Sequence, residues 1–591
     1  MNIFEIIREQ IQSVIREQLD AANSFEGLEL TRVSAEPPRD PQHGDIATNA
    51  AMLLSKTLER KPREIASELL KPLMALENVE QATVAGPGFI NLKIKNEVWY
   101  ASLSHILKVG TSFGDVNLGD GIPVNIEYVS ANPTGPMHVG HARGAVFGDA
   151  LARLLAKVGY AVTKEYYIND AGAQVDALAQ ALRFRYLEAL EIKTEAQFDQ
   201  AVAAGEVEYA GSYLKEVARA LVKRDGDLWA KTDGGTWLSQ LRSFAVDQMM
   251  SMIKADLEVL GVYHDVFTSE LKLQESGKIE EAVKFLGGEG LVYTGTLPPP
   301  KGKTLEDWQS RPLLLFRAEK FGDDMDRPLR KADGSWTYFA GDIAYHKDKV
   351  DRGFAELINV WGSDHVGDVK RVQAATAALT DGKAQLVVKL CQMVNVLDDG
   401  KPVRMSKRAG TFVTLRDLID AVGKDVVRFI MLTRKNDAPL DFDYAKVTEK
   451  SRDNAVFYVQ YAYARVCSVM RQANEAFPDT NLTDEALAEA NLLLLTDRDE
   501  LELMKNLAAW PRAIEAAAYA HEPHRIAFYL YDLAGRFHAL WNRGNDSTDL
   551  RFLQPKNVGL TLARLALVRG VAVVIASGLD VFAVEPLTEM R

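Results

Sequence analysis

Two short motifs combine imidazole or cationic side chains with small residues. His-Val-Gly-His occupies positions 138 to 141, and Arg-Met-Ser-Lys-Arg occupies positions 404 to 408. Histidines three residues apart lie on the same face of a helix, so His138 and His141 can point at one ligand. Imidazole N–H groups and a lysine ammonium both stabilise negative charge on phosphate oxygens. The two motifs therefore predict a site at which a nucleotide polyphosphate reacts.

The residues around the first motif predict a strand, a turn and a helix. An apolar strand covers 124–129, a turn rich in glycine and proline covers 130–136, and apolar residues then follow at helical spacing from Ala145 to Leu155. The N-terminus of such a helix favours phosphate, because its N–H groups are unpaired and the helix dipole is positive there. Gly140 has no side chain, so a base or ribose can come close to the backbone.

Each motif also has a simpler interpretation. A pair of histidines can belong to a core or bind a metal, and a basic loop can simply be solvated. The occurrence of both motifs in this order favours the phosphate site. Lys407 lies between two glycine-containing pairs, Asp399-Gly400 and Ala409-Gly410. This pattern predicts a mobile loop that closes the lysine over the β- and γ-phosphates.

Composition limits the classes of protein to which the chain can belong. Its 591 residues predict several domains, and a hydrophobic content of 47% is typical of a folded protein. We find no apolar stretch near the roughly 20 residues of a membrane span and no signal-peptide pattern at the start, which predicts a cytoplasmic protein with no membrane partner. Cys391 and Cys467 are the only cysteines, so neither disulfides nor a cysteine zinc site is expected. The net charge of −13 restricts nucleic-acid contacts to local basic surfaces.

The chain divides into three regions. Residues 1–112 predict an α+β module. Residues 118–440 predict a Rossmann-type α/β fold with a doubly wound parallel sheet, interrupted by a mostly helical insertion over about 175–325. Residues 445–591 predict an all-α bundle, which by itself could be a scaffold or a dimerisation domain.

Within the first region, apolar spacing predicts particular elements. Apolar residues from Ile3 to Leu19 recur at helical spacing, and a second helix is predicted over 46–58. A Gly-Pro-Gly turn at 86–88 precedes a strand at 89–92.

A second turn joins the first at the predicted nucleotide crevice. Strands are predicted at 161–168 and 356–361, and Gly362, Asp364 and His365 follow the later strand. In a doubly wound sheet, ligands bind at the carboxyl ends of the strands, so these residues belong to the same crevice as the histidine motif. Asp364 could alternatively cap the turn. The sequence has no P-loop lysine motif, which disfavours an ordinary kinase or ATPase.

Eight segments carry a family resemblance. They are H-G-D-I-A-T-N-A (43–50), G-P-G-F-I-N (86–91), I-E-Y-V-S-A-N-P-T-G-P-M-H-V-G-H (126–141), Y-Y-I-N-D-A-G-A-Q (166–174), Y-F-A-G-D-I-A-Y (338–345), W-G-S-D-H (361–365), R-M-S-K-R-A-G-T (404–411) and Y-V-Q-Y-A-Y-A-R (458–465). Together they resemble class I aminoacyl-tRNA synthetases, and among these the arginyl-tRNA synthetase family. Two departures are mild: residues 425–428 read D-V-V-R where the family often has D-A-L-R, and Arg404 replaces the usual first lysine of the loop motif.

The resemblance implies an aminoacyl-tRNA ligase that activates L-arginine with ATP, releases pyrophosphate and transfers arginine to the 3′ end of tRNA(Arg). It implies that His138, His141 and Lys407 stabilise the charge of the reacting phosphates, with Mg²⁺ carried by ATP and no zinc. The ATP-binding residues expected on this basis are Gly140, Gly362, Asp364, His365, Met405 and Ser406. The N-terminal module is expected to contact the tRNA elbow and the bundle the anticodon, with Tyr461 and Met590 as tRNA contacts. We expect a monomer.

Recognition of an arginine side chain needs carboxylates, because a guanidinium forms two parallel hydrogen bonds with each acid that it meets. By family resemblance, Glu127 and Asn132 hold the ammonium group of arginine, while Tyr338 and Asp342 hold its guanidinium. Tyr338 and Asp342 are one helical turn apart, so they share a face. Glu270 is a second candidate acid, for which a solvent-facing charge remains an equal alternative.

Hypotheses from other classes remain open. A synthetase-like RNA-binding protein without catalysis would be expected to lose the phosphate-binding cations. A small-molecule nucleotidylyltransferase shares the crevice but seldom carries a long helical C-terminal domain. Within class I, synthetases for branched aliphatic amino acids carry a large editing domain, and a cysteine-specific enzyme needs thiolate zinc ligands.

Overall fold

The structure is a computed structural model that describes residues 2–20, 29–38, 40–232, 235–297, 311–403 and 413–590. The loop motif at 404–408 lies outside these ranges, and with it the predicted contacts Met405, Ser406 and Lys407. The roles assigned to these three residues stay predictions.

A three-stranded antiparallel sheet with flanking helices forms the N-terminal region. Its elements are α1 (Ile3–Asp20), β1 (Ile46–Thr48), α2 (Ala50–Leu58), α3 (Pro62–Met74), β2 (Val79–Ala85), β3 (Phe89–Ile94) and α4 (Asn96–Val109). The first helix and the strand at 89–92 are confirmed, whereas the helix predicted over 46–58 begins only at residue 50. Residues 46–48 are a strand instead, because Ile46 pairs with Leu92 across the sheet.

The nucleotide-binding fold begins with the predicted strand, helix and strand, and the insertion follows. The first part comprises β4 (Pro123–Glu127), α5 (Val139–Lys157) and β5 (Ala161–Ile168). The insertion and its end comprise α6 (Ala173–Ala189), α7 (Glu195–Ala203), α8 (Tyr213–Asp225), α9 (Leu228–Lys231), α10 (Thr236–Leu260), β6 (Val266–Ser269), α11 (Glu270–Glu275), α12 (Lys278–Gly288), β7 (Val292–Gly295), β8 (Leu313–Phe316) and β9 (Arg327–Pro328). The long helices of the insertion enclose their own apolar cluster, which includes Leu182, Phe198 and Leu221.

The second half of the fold again alternates strands and helices. It comprises α13 (Tyr338–Asp351), β10 (Glu356–Gly362), α14 (Val369–Thr380), β11 (Gln385–Cys391), β12 (Val394–Asp398), β13 (Lys401–Pro402), α15 (Leu415–Val422), α16 (Lys424–Met431) and β14 (Leu440–Asp443). The strand predicted at 356–361 is confirmed as β10, and a short 3-10 helix, Ser363–Asp368, follows it.

Five parallel strands form the central sheet in the order β11-β10-β4-β5-β6. β4 lies beside β10, with Glu127 at the carboxyl end of β4 paired to Asn359 in the middle of β10. This neighbourhood brings the turns after both strands to one edge of the sheet, as the sequence predicted. β6 also belongs to this sheet, although the sequence pattern of the insertion predicted mainly helices. Its four residues are too few to display a strand pattern.

The chain after β14 is helical throughout the described residues, as predicted. The helices are α17 (Tyr444–Thr448), α18 (Ala455–Ala476), α19 (Asp484–Ala488), α20 (Arg498–Ala508), α21 (Trp510–Ala520), α22 (His524–Asp546) and α23 (Val558–Val581). One sequence prediction is wrong here, because α23 is long and apolar enough to cross a membrane by length and composition. Most of α23 is buried inside the bundle, and a helix that is apolar all round is typical of such a buried position.

The N-terminal region and the C-terminal bundle share one hydrophobic core. Helix α4 buries Trp99 against this core. The Tyr100 hydroxyl donates to the Leu495 carbonyl at 3.0 Å, and the Ser104 hydroxyl donates to the Ala488 carbonyl at 2.7 Å. The helix that closes the predicted N-terminal module is therefore packed as a helix of the bundle.

Candidate active site at the carboxyl ends of the central strands

The two histidines of the first motif form the N-terminus of α5. His138 is the N-cap, and its Nδ1 accepts a hydrogen bond from the Gly140 N–H at 3.1 Å, while Nδ1 of His141 accepts one from the His138 N–H at 3.3 Å. The two rings stack with their centroids 3.8 Å apart. Because each Nδ1 is an acceptor, each neutral ring carries its proton on Nε2, which can donate to an anion. The motif thus adds two imidazole donors to the positive end of a helix.

Gly140 has a local packing role in addition to the one predicted. A Cβ at this position would lie 2.9 Å from Cε1 of His138 and 3.0 Å from its Nδ1. The absence of a side chain therefore lets the His138 ring fold over the first turn of α5. The predicted close approach of a nucleotide at Gly140 remains a prediction.

The segment after the loop motif is joined directly to the histidine motif. Thr414 forms an antiparallel β-bridge with His138. Val139 donates its N–H to the Val413 carbonyl at 3.3 Å, and Leu415 donates to the Met137 carbonyl at 2.9 Å. The described residues that follow the second motif therefore lie beside His138, although the two motifs are far apart in sequence.

A cavity of about 170 Å³ brings together four of the five predicted arginine contacts. Asn132, Glu270, Tyr338 and Asp342 line it. The other lining residues come from the end of β5, the turn after it and the start of α6, and were not predicted: Tyr167, Asn169, Ala171, Ala173 and Gln174. This segment was noticed in the sequence only as part of the family resemblance, and its polar residues gave no separate signal of ligand binding.

Burial makes the two acids of this cavity hard to ionise. It raises the pKa of Asp342 to about 7, with the charges of Glu127 and Glu270 adding to the rise and Arg371 opposing it. Burial also raises the pKa of Glu270 to about 7, with Asp170 adding to the rise. Glu270 is buried rather than facing solvent, which removes the alternative that the sequence left open. Two acids held in this way fit a cationic ligand.

Glu127, the fifth predicted contact, does not line the cavity. Its carboxylate accepts from the wholly buried Lys349 ammonium at 2.9 Å and from the Ser130 hydroxyl at 3.1 Å. The Lys349 ammonium also donates to the Asn359 side chain at 3.2 Å. Sequence reasoning missed Lys349, because 222 residues separate it from Glu127. Glu127 therefore has partners within the protein before any substrate arrives.

Further hydrogen bonds continue from Asn359 towards the cavity that Asp342 lines. The Asn359 amide nitrogen lies 2.9 Å from Nε2 of His346, and Nδ1 of His346 lies 2.8 Å from the Asp342 carbonyl oxygen. Burial lowers the pKa of His346 to about 3, so its ring is neutral at physiological pH. A neutral ring can donate from Nδ1 and accept at Nε2, which satisfies both contacts. These hydrogen bonds fix the backbone of α13 at Asp342.

The turn after β4 has a strained backbone where it enters the site. Val129 and Ser130 have φ angles of 70° and 38°, a left-handed conformation that is rare for a β-branched residue. Asn169 donates to the Ser130 carbonyl at 3.0 Å, and the Tyr166 hydroxyl donates to the Ala131 carbonyl at 2.7 Å. Side chains of β5 and the segment after it therefore hold a turn that its own backbone preference would not select.

The three residues predicted to follow β10 lie at the same edge of the sheet. Gly362 ends the strand, and Asp364 and His365 belong to the 3-10 helix after it. Nδ1 of His365 lies 3.2 Å from a carboxylate oxygen of Asp368. A Cβ at Gly362 would lie 2.4 Å from a carboxylate oxygen of the exposed Asp364 side chain, which would have to shift. Both the Asp364 and His365 side chains are more than half exposed and can meet a ligand.

The two predicted tRNA contacts lie in the C-terminal bundle. Tyr461 on α18 stacks against Phe457, with ring centroids 5.6 Å apart, and the Arg465 guanidinium lies 4.3 Å from its ring centroid. Aromatic rings and arginine planes are surfaces on which nucleic-acid bases stack. Met590 lies partly exposed at the end of the described chain.

Three family models match the chain. They are described as "Arginyl tRNA synthetase N terminal domain" for residues 7–94, "tRNA synthetases class I (R), catalytic domain" for residues 102–285 and "DALR anticodon binding domain" for residues 459–590. The chain is 56% identical to the arginine–tRNA ligase of Rhodospirillum rubrum and 54% identical to that of Parvibaculum lavamentivorans, with complete coverage of both chains in each case. Its fold is similar to that of the arginyl-tRNA synthetase of Thermus thermophilus, with a TM-score of 0.73, 21% identity and coverage of 99% of this chain and 100% of the other.

Proposed function

The chain belongs to the arginyl-tRNA synthetase family, and we propose that the cavity beside Asp342 and Glu270 holds the arginine that it activates. As a member of this family it activates L-arginine with ATP to arginyl-adenylate and pyrophosphate, and then transfers arginine to the 3′ end of tRNA(Arg). The observation that supports the assignment of the cavity is the pair of acids in its lining whose pKa values burial raises to about 7. The guanidinium of arginine would be the cationic partner of both acids.

The residues of the cavity divide between the two ends of arginine. Asp342 and Tyr338 hold the guanidinium, and Glu270 provides the second acid. Burial disfavours the ionised form of Glu270, so a cation beside it would stabilise that form. Asn132 contacts the ammonium group, supported by Gln174, whose side-chain oxygen accepts from its amide at 2.8 Å.

Glu127 acts on the ammonium group at longer range. Its two oxygens already accept from Lys349 and Ser130. Its charge nevertheless reaches the cavity, since it contributes to the raised pKa of Asp342. A direct contact with arginine would use the remaining acceptor capacity of the same oxygens.

ATP binds across the carboxyl ends of β4 and β10. His138 and His141 donate to its phosphates, and Lys407 closes over the β- and γ-phosphates. The remaining ATP contacts of this proposal are Gly140, Gly362, Asp364, His365, Met405 and Ser406. Within the described residues no cluster of three or more acidic, histidine or cysteine side chains could hold a metal ion, so the Mg²⁺ of this proposal is carried by the phosphates of ATP.

Activation needs no covalent bond to the protein. A carboxylate oxygen of arginine attacks the α-phosphorus, the bond to the bridging oxygen breaks, and pyrophosphate leaves with that electron pair. The protein aligns the two reactants and stabilises the charge that builds on the phosphate oxygens. Arginine held by its two ends and ATP held at the N-terminus of α5 would meet at the strained turn between them.

The remaining domains serve tRNA. The N-terminal region contacts the tRNA elbow, and the helical bundle contacts the anticodon, with Tyr461 and Met590 among its contacts. The protein acts as a monomer in the cytoplasm and needs no membrane partner, in keeping with the burial of α23 inside the bundle.

Pyrophosphate exchange tests the proposed site and its substrate. The exchange of labelled pyrophosphate into ATP is measured with each amino acid, with and without tRNA. We expect arginine to be the only amino acid that supports exchange, and we expect no exchange without tRNA. A tRNA whose terminal ribose has been oxidised cannot be charged, but it should still restore the exchange. Such a requirement needs tRNA to bind the activation-competent conformation more tightly than the other. Exchange with another amino acid would contradict the assignment of the acidic cavity, and vigorous arginine-dependent exchange without RNA would contradict the requirement alone.

A further inference from the structure

The helical insertion touches the turn that carries Asn132 and leads to His138. Tyr213, the first residue of α8, donates its hydroxyl hydrogen to the Thr134 carbonyl at 2.6 Å. Thr134 is two residues after Asn132 and four before His138. The insertion therefore holds the backbone between a proposed arginine contact and a proposed ATP contact.

Glycines on both sides of the Tyr213 ring allow its contact with the turn. A Cβ at Gly135 would lie 3.0 Å from the Tyr213 hydroxyl oxygen, and one at Gly211 would lie 2.0 Å from Cε1 of the same ring. Glycine at both positions makes room for the ring. Burial raises the pKa of Tyr213, so its hydroxyl stays neutral and donates at every physiological pH.

The strain of the turn explains why such a contact matters. Val129 and Ser130 hold left-handed backbone angles only because other groups fix the chain around them. Asn169 and Tyr166 fix the first part of the turn to the central sheet. Tyr213 fixes its last part, and it does so from the insertion rather than from the sheet.

We propose that Tyr213 is a positioning residue for adenylate formation, through which the insertion sets the distance between bound arginine and bound ATP. The proposal rests on the function proposed above. A displacement of about 1 Å between reacting groups can cost about 10²-fold in rate. Loss of one of the several hydrogen bonds that hold the turn is expected to lower kcat about tenfold. The KM values for arginine and ATP change less, because the ligand-binding side chains are all retained.

Tyr213→Phe tests the proposal by removing a single hydroxyl group. Tyr186→Phe is its matched control, because Tyr186 is a buried tyrosine of the same insertion whose hydroxyl donates to the Gly226 carbonyl, also at 2.6 Å. That bond stays inside the insertion. Both variants lose one hydrogen bond to a backbone carbonyl, and Tyr186→Phe also loses the bond that its hydroxyl oxygen accepts from the Trp229 N–H at 3.3 Å, so Tyr186→Phe should lower the melting temperature at least as much as Tyr213→Phe.

Arginine-dependent pyrophosphate exchange in the presence of tRNA separates the two variants. We expect Tyr213→Phe to lower kcat about tenfold and Tyr186→Phe to leave it within about twofold of the parent. An active parent with equal kcat values for the two variants would overturn the role of Tyr213 and leave the proposed function standing. A parent that exchanges no pyrophosphate with any amino acid would overturn the proposed function and this proposal with it.

Discussion

Asp342 and Glu270 are carboxyls whose charge depends on the ligand. Burial raises the pKa of each to about 7, so in the protein without arginine both keep part of their protons near neutral pH. A guanidinium stays protonated in this range and favours the ionised form of a neighbouring acid. Binding of arginine should therefore lower both pKa values and release protons.

This linkage predicts how arginine affinity depends on pH. Well below pH 7 the ligand must displace up to two protons, so the affinity should fall by up to about 100-fold as the pH drops by one unit, and it should level off above about pH 8. Calorimetric titrations near pH 6.5, in two buffers of different ionisation enthalpy, would count the released protons. In the protein without arginine, a raised carboxyl pKa stabilises the fold below the ordinary pKa and loses that contribution as the pH rises through about 7. Arginine binding without proton release would contradict the assignment of both acids.

A substitution at Asp342 tests the contact with the guanidinium directly. Asp342→Asn keeps the size of the side chain and removes the charge, so arginine should bind more weakly by about 2 to 4 kcal/mol while the fold is retained. Asp351→Asn is the control on the same helix, because Asp351 is exposed and pairs only with Lys347 at the surface. Isothermal titration would compare the two variants. An affinity of Asp342→Asn within about twofold of the parent, a difference of roughly 0.4 kcal/mol, would remove Asp342 from the site.

Residues in local motifs were predictable, and residues that act across the fold were not. Tyr338 and Asp342 are four apart on one helix, so sequence spacing was enough to associate them. Lys349 and Glu127 form a buried pair between elements 222 residues apart, which no local pattern reveals. The contact of Tyr213 with Thr134 is of the same kind, since 79 residues separate its partners. Contacts that depend on how elements pack need the fold itself.

At the scale of elements, length decided what the sequence could predict. The strands at 161–168 and 356–361 were found because each is a long run, rich in β-branched, aromatic or other apolar residues, beside a turn. The strands at 46–48 and 266–269 are too short to show a period, and their pairing with distant strands defines them instead. Helix α23 has the composition of a membrane span because its neighbours in the bundle surround it.

Among the elements, the segment between β13 and α15 is the one in which removal of a single charge should lower the rate of activation most. If Lys407 neutralises charge that develops on the phosphates, Lys407→Ala should lower the maximal rate of activation by about 10²-fold with a smaller effect on arginine binding. Lys401→Ala is the control, since Lys401 is an exposed lysine on the strand that leads into the same loop. Single-turnover adenylate formation would measure both. An unchanged rate for Lys407→Ala would move the role to Arg404 or Arg408.

At the scale of the whole molecule, α4 decides which parts of the chain can be separated. The family model for the N-terminal domain ends at residue 94, just before α4 begins. Helix α4 buries Trp99, Leu103 and Ile106, and its hydroxyl groups bond to carbonyls of the C-terminal region. Each of these apolar side chains contributes about 1.5 to 3 kcal/mol when buried. A truncation that removes α4 therefore damages the bundle more than one that stops before it, which loses smaller contacts with the bundle such as Lys505 with Asp45 at 2.8 Å and Asn2 with Glu515 at 2.8 Å.

This difference allows the tRNA contact of the N-terminal region to be tested without unfolding the rest. A protein that begins at residue 95 should remain folded and keep its KM for arginine, while its KM for tRNA should rise about tenfold or more if the missing region contacts the elbow. A protein that begins at residue 113 also lacks α4, so it should melt at a lower temperature and lose activity through the bundle rather than through the elbow. Thermal melting separates the two causes, and aminoacylation kinetics at varied tRNA concentration measure the first. Normal tRNA charging by the protein that begins at residue 95 would reduce the N-terminal region to a structural cap.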